Sequence, residues 1–176
     1  MQGAVSRFVA TSQDFAWRRE LSRLGTKVRS GAPSIAGKSD LRHELIHVLF
    51  AELFPNALPP RWAEEGFALL NDSDDKQARH LNDLRQAVET KTTIPLNRLL
   101  ATADYPTGWQ RAVYYGHSMS VVETLTQLNT PDQFLRFVQL SLDTDHERAL
   151  RTVYKIDSLD DLERGWREYA LAAIPK

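Results

Sequence analysis

The 176-residue chain contains no cysteine, which excludes a disulfide framework and any metal site built on thiolates. It has no apolar run near the roughly 20 residues that a membrane-spanning helix needs. Lysine and arginine form no cluster and the formal net charge is −1, so we expect no binding of nucleic acid. The start of the chain lacks the apolar segment of a signal peptide. These absences predict one soluble globular domain, residues 1–176, and leave its compartment, its oligomeric state and its relation to a longer protein open.

The most informative stretch is DLRHELIHVLF, Asp40 to Phe50, which contains the pattern HExxH. On a helix, residues four positions apart share a face, so His43 and His47 can direct two imidazoles at one metal ion. Glu44 is turned away from that face and can hydrogen-bond a metal-bound water without taking a coordination position. Apolar residues occupy the rest of the helix, which predicts that it is buried. They are Leu41, Leu45, Ile46, Val48, Leu49 and Phe50.

A third ligand is expected from the next segment, PPRWAEEGFALL, Pro59 to Leu70. Catalytic zinc sites take three protein ligands and leave the fourth position to water, and a carboxylate on a following helix is one standard solution. The residue types alone leave two neighbouring candidates, Glu64 and Glu65.

These two segments resemble the gluzincin zinc metallopeptidases, which are thermolysin-like and carry the third ligand in a WxxEGxA stretch downstream of HExxH. In this chain Trp62, Glu65, Gly66 and Ala68 match that stretch. The resemblance implies that the ligand is Glu65, directly before the glycine, and not Glu64.

The likeness is strongest to compact peptidase MA-like domains of bacterial proteins, and it extends from about Ser39 to the C-terminus. It includes a YxxS stretch at Tyr115 to Ser118 and the closing LDDLERGWREY at Leu159 to Tyr169. The fold that it implies is a compact zincin-like domain with a short sheet before the zinc helix and a helical bundle after it.

Gluzincins often use a tyrosine or histidine after the third ligand to stabilise the oxyanion, and the YxxS match indicates Tyr115 for this role. Tyr114 and His117 compete with it. Adjacent helical residues point about 100° apart, so only one of the two tyrosines is expected to face the metal. Thermolysin-like enzymes also place an acidic partner for a histidine ligand four residues after the ligand glutamate. This chain has Leu69 there, which leaves Asp72 as a candidate for that partner.

The pattern of apolar residues predicts a mainly α (α+β) fold in three parts. Residues 1–38 contain a helix at Ser12 to Leu24 and two short extended pieces, around Lys27 to Arg29 and Ser34 to Ala36, that form a small hairpin or edge strand. Residues 39–70 contain the zinc-binding helices, of which the first is capped by Ser39 or Asp40 and ended by Pro55. Residues 71–176 are helical. The predicted helices there lie near Asp74 to Glu89, before Ala101, at Trp109 to Asn129, after Thr130, at Glu147 to Tyr154 and at Leu159 to Ala173.

The resemblance implies a zinc-dependent metalloendopeptidase that acts on a peptide or protein substrate. One Zn²⁺ is expected on His43, His47 and Glu65, with a zinc-activated water, Glu44 as general base and Tyr115 at the oxyanion. No GxMEN-type motif precedes HExxH, so exopeptidase action is less expected.

The alternative is a catalytically inert domain that keeps the zinc scaffold for regulation or interaction, and the intact Glu44 argues against it because a structural site needs no base.

Two further expectations concern the metal. Chelation should leave the protein folded, and Glu65→Ala should remove most of the metal-dependent thermal stabilisation whereas Glu64→Ala should not. We expect His80 and His146 at the surface.

Overall fold

The computed structural model describes the backbone of residues 38–173 and the side chains of residues 41–170. Eight helices and no strand occur within this range. They are α1 (Lys38–Leu53), α2 (Arg61–Leu69), α3 (Asp74–Glu89), α4 (Leu96–Ala101), α5 (Gln110–Leu128), α6 (Pro131–Asp143), α7 (His146–Val153) and α8 (Leu159–Ala173). The prediction of a mainly α protein is therefore confirmed. The predicted helix at 12–24 and the predicted hairpin within 27–36 lie outside the described residues.

Helix α5 lies at the centre of the arrangement, since it packs against both α2 and α3. Eleven of its residues are buried, including Val121, Val122 and Leu125. A helix with apolar residues on most of its circumference is stable only when other helices surround it. One hydrophobic cluster contains residues from all eight helices. The helices therefore share a single core over the described range.

Aromatic side chains fill the space between α2 and α6. Trp62 lies edge-on to Phe134, with ring centroids 6.2 Å apart, and Phe67 stacks on Phe134 at 5.7 Å. All three are fully or almost fully buried. Offset and edge-on pairs of this kind contribute beyond the area they bury. They fix the position of the short helix α2, which carries the predicted ligand Glu65.

Capping residues explain several helix starts in the C-terminal half. The Thr130 hydroxyl accepts a hydrogen bond from the backbone N–H of Gln133 at 3.3 Å, and Pro131 begins α6, as the sequence predicts. Ser158 accepts from the N–H of Asp161 at 3.1 Å at the start of α8. At α1 the cap prediction is wrong: the helix begins at Lys38, so Ser39 and Asp40 lie inside its first turn.

Burial of α1 is one-sided among the described residues. Leu45, Ile46 and Phe50 are buried, but the side chain of Val48 is 55% exposed. The expectation that apolar residues all around this helix are buried is therefore wrong for Val48. None of the helices in the described range is both long enough and apolar enough to span a bilayer.

Candidate metal centre

Helix α1 presents His43 and His47 side by side. Their spacing of four residues places them one turn apart on the same face, and their ring centroids are 4.9 Å apart. Both side chains are partly exposed, with 18% and 26% of their surface accessible. The two imidazoles are thus neighbours at the edge of the core rather than within it.

The carboxylate of Glu65, on α2, faces both histidines. Its Oε2 atom lies 3.8 Å from Nε2 of His43, and its Oε1 atom lies 4.0 Å from Nε2 of His47. Two ligand atoms about 2.1 Å from a tetrahedral ion are roughly 3.4 Å apart, so these separations need only a small contraction around a metal. The ligand atoms of the three residues all lie within 4.8 Å of one another. His43, His47 and Glu65 therefore form a group that could hold a metal ion.

A second carboxylate contacts each histidine at its other nitrogen. Asp72 Oδ2 lies 3.2 Å from Nδ1 of His43, and Glu64 Oε1 lies 2.9 Å from Nδ1 of His47. A carboxylate can only accept hydrogen bonds, so each imidazole donates its Nδ1–H. The lone pair of each Nε2 atom is then directed at the group that contains Glu65. Pairs of this kind fix the tautomer and the ring orientation of metal-binding histidines.

Hydrogen bonding and burial act in opposite directions on His47. The pKa of His47 is raised, first by its hydrogen bond to Glu64, while burial lowers it and the charges of Glu65, Glu64 and Glu44 raise it. Glu64 also lies 3.6 Å from the guanidinium of Arg61. The site is therefore rich in negative charge, an environment that suits a cation.

Tyr105 contributes to the site from the loop between α4 and α5. Its hydroxyl donates a hydrogen bond to Oε1 of Glu65. The guanidinium groups of Arg61 and Arg111 lie 5.5 and 5.6 Å from the centroid of the Tyr105 ring. Burial and the hydrogen bond to Glu65 raise the pKa of this tyrosine, so it keeps its proton at neutral pH.

A cleft of about 540 Å³ opens beside the metal group. Glu44, Glu65 and Tyr115 all line it, which places the predicted base and the predicted oxyanion donor at one opening. The opposite wall belongs mainly to α3. The remaining lining residues are His43, Leu69, Asp72, Lys76, Arg79, His80 and Asp83.

The two competitors of Tyr115 occupy the interior. Tyr114 and His117 are both fully buried, and the His117 ring stacks on Trp166 with centroids 4.1 Å apart. Burial raises the pKa of Tyr114 and lowers the pKa of His117 to about 3. Of these three residues only Tyr115 lines the cleft.

Two residues at the site were not predicted from the sequence to lie there. Tyr105 belongs to no motif, and only the folding of its loop against α2 brings it to Glu65. His80 was expected at the surface, but it is half-buried, it lines the cleft, and its ring lies 5.7 Å from that of Tyr115. His80 lies one turn after Lys76 on α3 and both line the cleft, but no motif in the sequence marks either residue. His146 is also partly buried, against Phe137.

Comparison of the chain with protein-family models, curated proteins and solved structures finds no match. The resemblance to gluzincins therefore depends on the motifs themselves.

Proposed function

We propose that this protein is a zinc-dependent metalloendopeptidase of the gluzincin type. The observation that carries the proposal is the approach of Glu65 to the Nε2 atoms of both His43 and His47, at 3.8 and 4.0 Å, beside a cleft that Glu44 also lines. This is a three-ligand arrangement with a carboxylate of the general-base type next to it.

The donor set suits zinc among the common metals. Two imidazole nitrogens and one carboxylate oxygen are the ligands of known peptidase zinc sites, and three protein ligands leave one coordination position for chemistry. A zinc ion held by His43, His47 and Glu65 would supply a Lewis acid that polarises the scissile carbonyl and acidifies a coordinated water. Asp72 and Glu64 would keep both imidazoles in the tautomer that offers Nε2.

We infer that Glu44 moves protons and does not bind the metal. It is exposed, it lines the cleft, and it is not part of the group whose ligand atoms converge. Its carboxylate would accept a proton from the attacking water and return it to the nitrogen of the leaving amine. Glu44 therefore serves as base in the first step and as acid in the second.

Tyr115, which lines the cleft, is our candidate for the donor that stabilises the oxyanion. Its hydroxyl oxygen lies 3.3 Å from a guanidinium nitrogen of Arg111. Arginine can only donate, so the Tyr115 oxygen accepts and its own proton remains available. That proton would stabilise negative charge developing on the carbonyl oxygen of a bound peptide.

The test combines metal analysis with digestion of casein and a broad peptide library. We expect one zinc per chain and cleavage within the peptides. Glu44→Gln should reduce turnover by about 10²- to 10⁴-fold, the usual contribution of a general base, and should retain the zinc. Glu52→Gln changes an exposed glutamate on the same helix and serves as the matched control, with wild-type turnover expected.

Two outcomes would contradict the proposal. Cleavage by Glu44→Gln at the wild-type rate would show that the assigned base is not involved. A folded wild-type protein that contains one zinc but cleaves nothing in the library would favour the inert zinc-binding domain.

A further inference from the structure

The Glu65 carboxylate has two oxygens in different surroundings. Oε1 lies 4.0 Å from Nε2 of His47 and Oε2 lies 3.8 Å from Nε2 of His43, but only Oε1 accepts the hydrogen bond from Tyr105. Only 9% of the Glu65 side chain is accessible, so water solvates this carboxylate poorly. A buried acceptor of this kind needs a protein donor, and Tyr105 is that donor at Oε1.

The position of the Tyr105 ring is fixed by contacts that do not involve Glu65. The guanidinium groups of Arg61 and Arg111 lie within 5.6 Å of its centroid. The rings of Tyr114 and Tyr115 lie 6.3 and 6.1 Å from it. Cation–π and edge-on aromatic contacts hold a ring in place independently of its hydroxyl. The hydroxyl is therefore presented to Glu65 by a preformed cluster.

We propose that Tyr105 is the positioning residue for the metal ligand Glu65, because its hydrogen bond makes Oε1 the weaker ligand oxygen and favours binding of the metal through Oε2. This inference deepens the proposed function and rests on it. A carboxylate that bound through both oxygens would take the coordination position that a catalytic zinc site keeps open for water. Tyr105 thus preserves the open position by acting on the ligand, without touching the metal or the substrate.

Tyr105→Phe is the discriminating variant, since it keeps the ring and its contacts and removes only the hydroxyl. We expect the zinc affinity, measured by competition with a chromophoric chelator, to fall about 10-fold, as is usual when a partner of a metal ligand is lost. In the cobalt-substituted protein the visible absorption should weaken, because a second oxygen from Glu65 raises the coordination number. Tyr115→Phe removes a neighbouring hydroxyl that accepts from Arg111 and has no hydrogen bond to Glu65, so the zinc affinity of this variant should match that of the wild type.

A double-mutant cycle shows whether Tyr105 acts through Glu65. In a Glu65→Ala background the acceptor of the Tyr105 hydrogen bond is absent, so adding Tyr105→Phe should change the remaining zinc affinity less than about 2-fold. A loss caused by damage to the fold would persist in that background, and it would overturn the inference. Unchanged affinity and an unchanged cobalt spectrum in Tyr105→Phe alone would overturn it too.

Zinc affinity and the cobalt spectrum do not depend on peptide cleavage, so the two proposals fail separately. A wild-type protein that binds zinc but cleaves no peptide contradicts the peptidase and still allows the Tyr105 test. A wild-type protein that binds no zinc overturns both.

Discussion

The Nδ1 atom of His47 lies 2.9 Å from Oε1 of Glu64, the residue directly before the proposed ligand Glu65. The two adjacent glutamates of α2 therefore approach opposite nitrogens of one imidazole, Glu64 at Nδ1 and Glu65 at Nε2. In the sequence they are alternatives for one ligand position. In the structure each contacts a different nitrogen of His47, so we expect Glu64 to influence zinc binding as well.

Removal of metal should destabilise the protein without unfolding it. Apolar packing of Ile46 and Phe50 places α1 independently of any ion. A ligand that binds only the folded state stabilises it by about 4 kcal/mol when its free concentration is 1,000 times its Kd. We expect a chelator to lower the melting temperature while the helical circular dichroism at 25 °C remains. Loss of that helical signal on chelation would mean that the metal, and not the packing, holds the fold.

Substitution of the two glutamates should weaken zinc binding to different extents. Glu65→Ala removes a ligand and should abolish most of the zinc-dependent shift in melting temperature. Glu64→Ala removes only the partner of His47 and should weaken the affinity about 10- to 100-fold, or about 1.4 to 2.7 kcal/mol. Glu52→Ala, at an exposed position of α1, is the control and should retain the full shift. A larger loss in Glu64→Ala than in Glu65→Ala would reverse the assignment of the ligand.

Asp72 should have the same influence on His43 that Glu64 has on His47. Its Oδ2 atom lies 3.2 Å from Nδ1 of His43, and its side chain is 3% exposed. Asp72→Ala should therefore lower the zinc affinity about 10-fold through loss of the oriented tautomer. Asp75→Ala alters an exposed carboxylate near the start of α3 and is the matched control. Equal affinities of the two variants, measured by the same chelator competition, would contradict this role.

Gly66 should tolerate no side chain, because α2 and α5 approach closely there. A Cβ atom at Gly66 would lie 2.5 Å from the backbone oxygen of Ser118 and 2.7 Å from Cγ2 of Val122. Gly66→Ala should destabilise the metal-free protein by about 1 to 3 kcal/mol in urea denaturation, although alanine is the better helix former.

Shortening the neighbour tests the cause of the Gly66 effect. In a Val122→Ala background the cost of Gly66→Ala should shrink but not vanish, since the contact with the Ser118 backbone remains. Wild-type stability of the Gly66→Ala single variant would show that the helices can separate at no cost.

Acid should destabilise the protein through His117. Burial lowers the pKa of this histidine to about 3 in the folded state, against 6.5 for an unperturbed group. Between these values the unfolded chain binds more protons than the folded one. The contribution of neutral His117 to the free energy of unfolding is therefore complete above pH 6.5 and is lost as the pH falls. From pH 7 to pH 5 the loss from this residue is about 2 kcal/mol.

The variant His117→Phe keeps a ring against Trp166 and has no titrating group. Urea denaturation of the metal-free proteins at pH 7 and pH 5 should show a smaller loss in the variant than in the wild type. Equal losses in the two proteins would mean that His117 is protonated within the fold or does not control its acid sensitivity.

Local sequence determined the helices and the candidate ligands. The bounds of α3 and α8 agree with prediction because apolar periodicity is a short-range signal, as is the Ser158 cap of α8. HExxH places His43 and His47 together because four residues make about one helical turn. The mainly α fold follows from the same periodicity.

Only the tertiary structure determined which residues that are distant along the chain come into contact. The contact between Tyr105 and Glu65 depends on a loop that returns to α2, and no pattern of residue types encodes such a return. The sequence offered Asp72 as a candidate partner of a histidine, and only the fold shows that the histidine is His43. The place of His117 in a long apolar helix did not reveal that it lies against Trp166. Which face of a helix is buried depends on the elements packed against it, and that information lies in the assembled core rather than in any single segment.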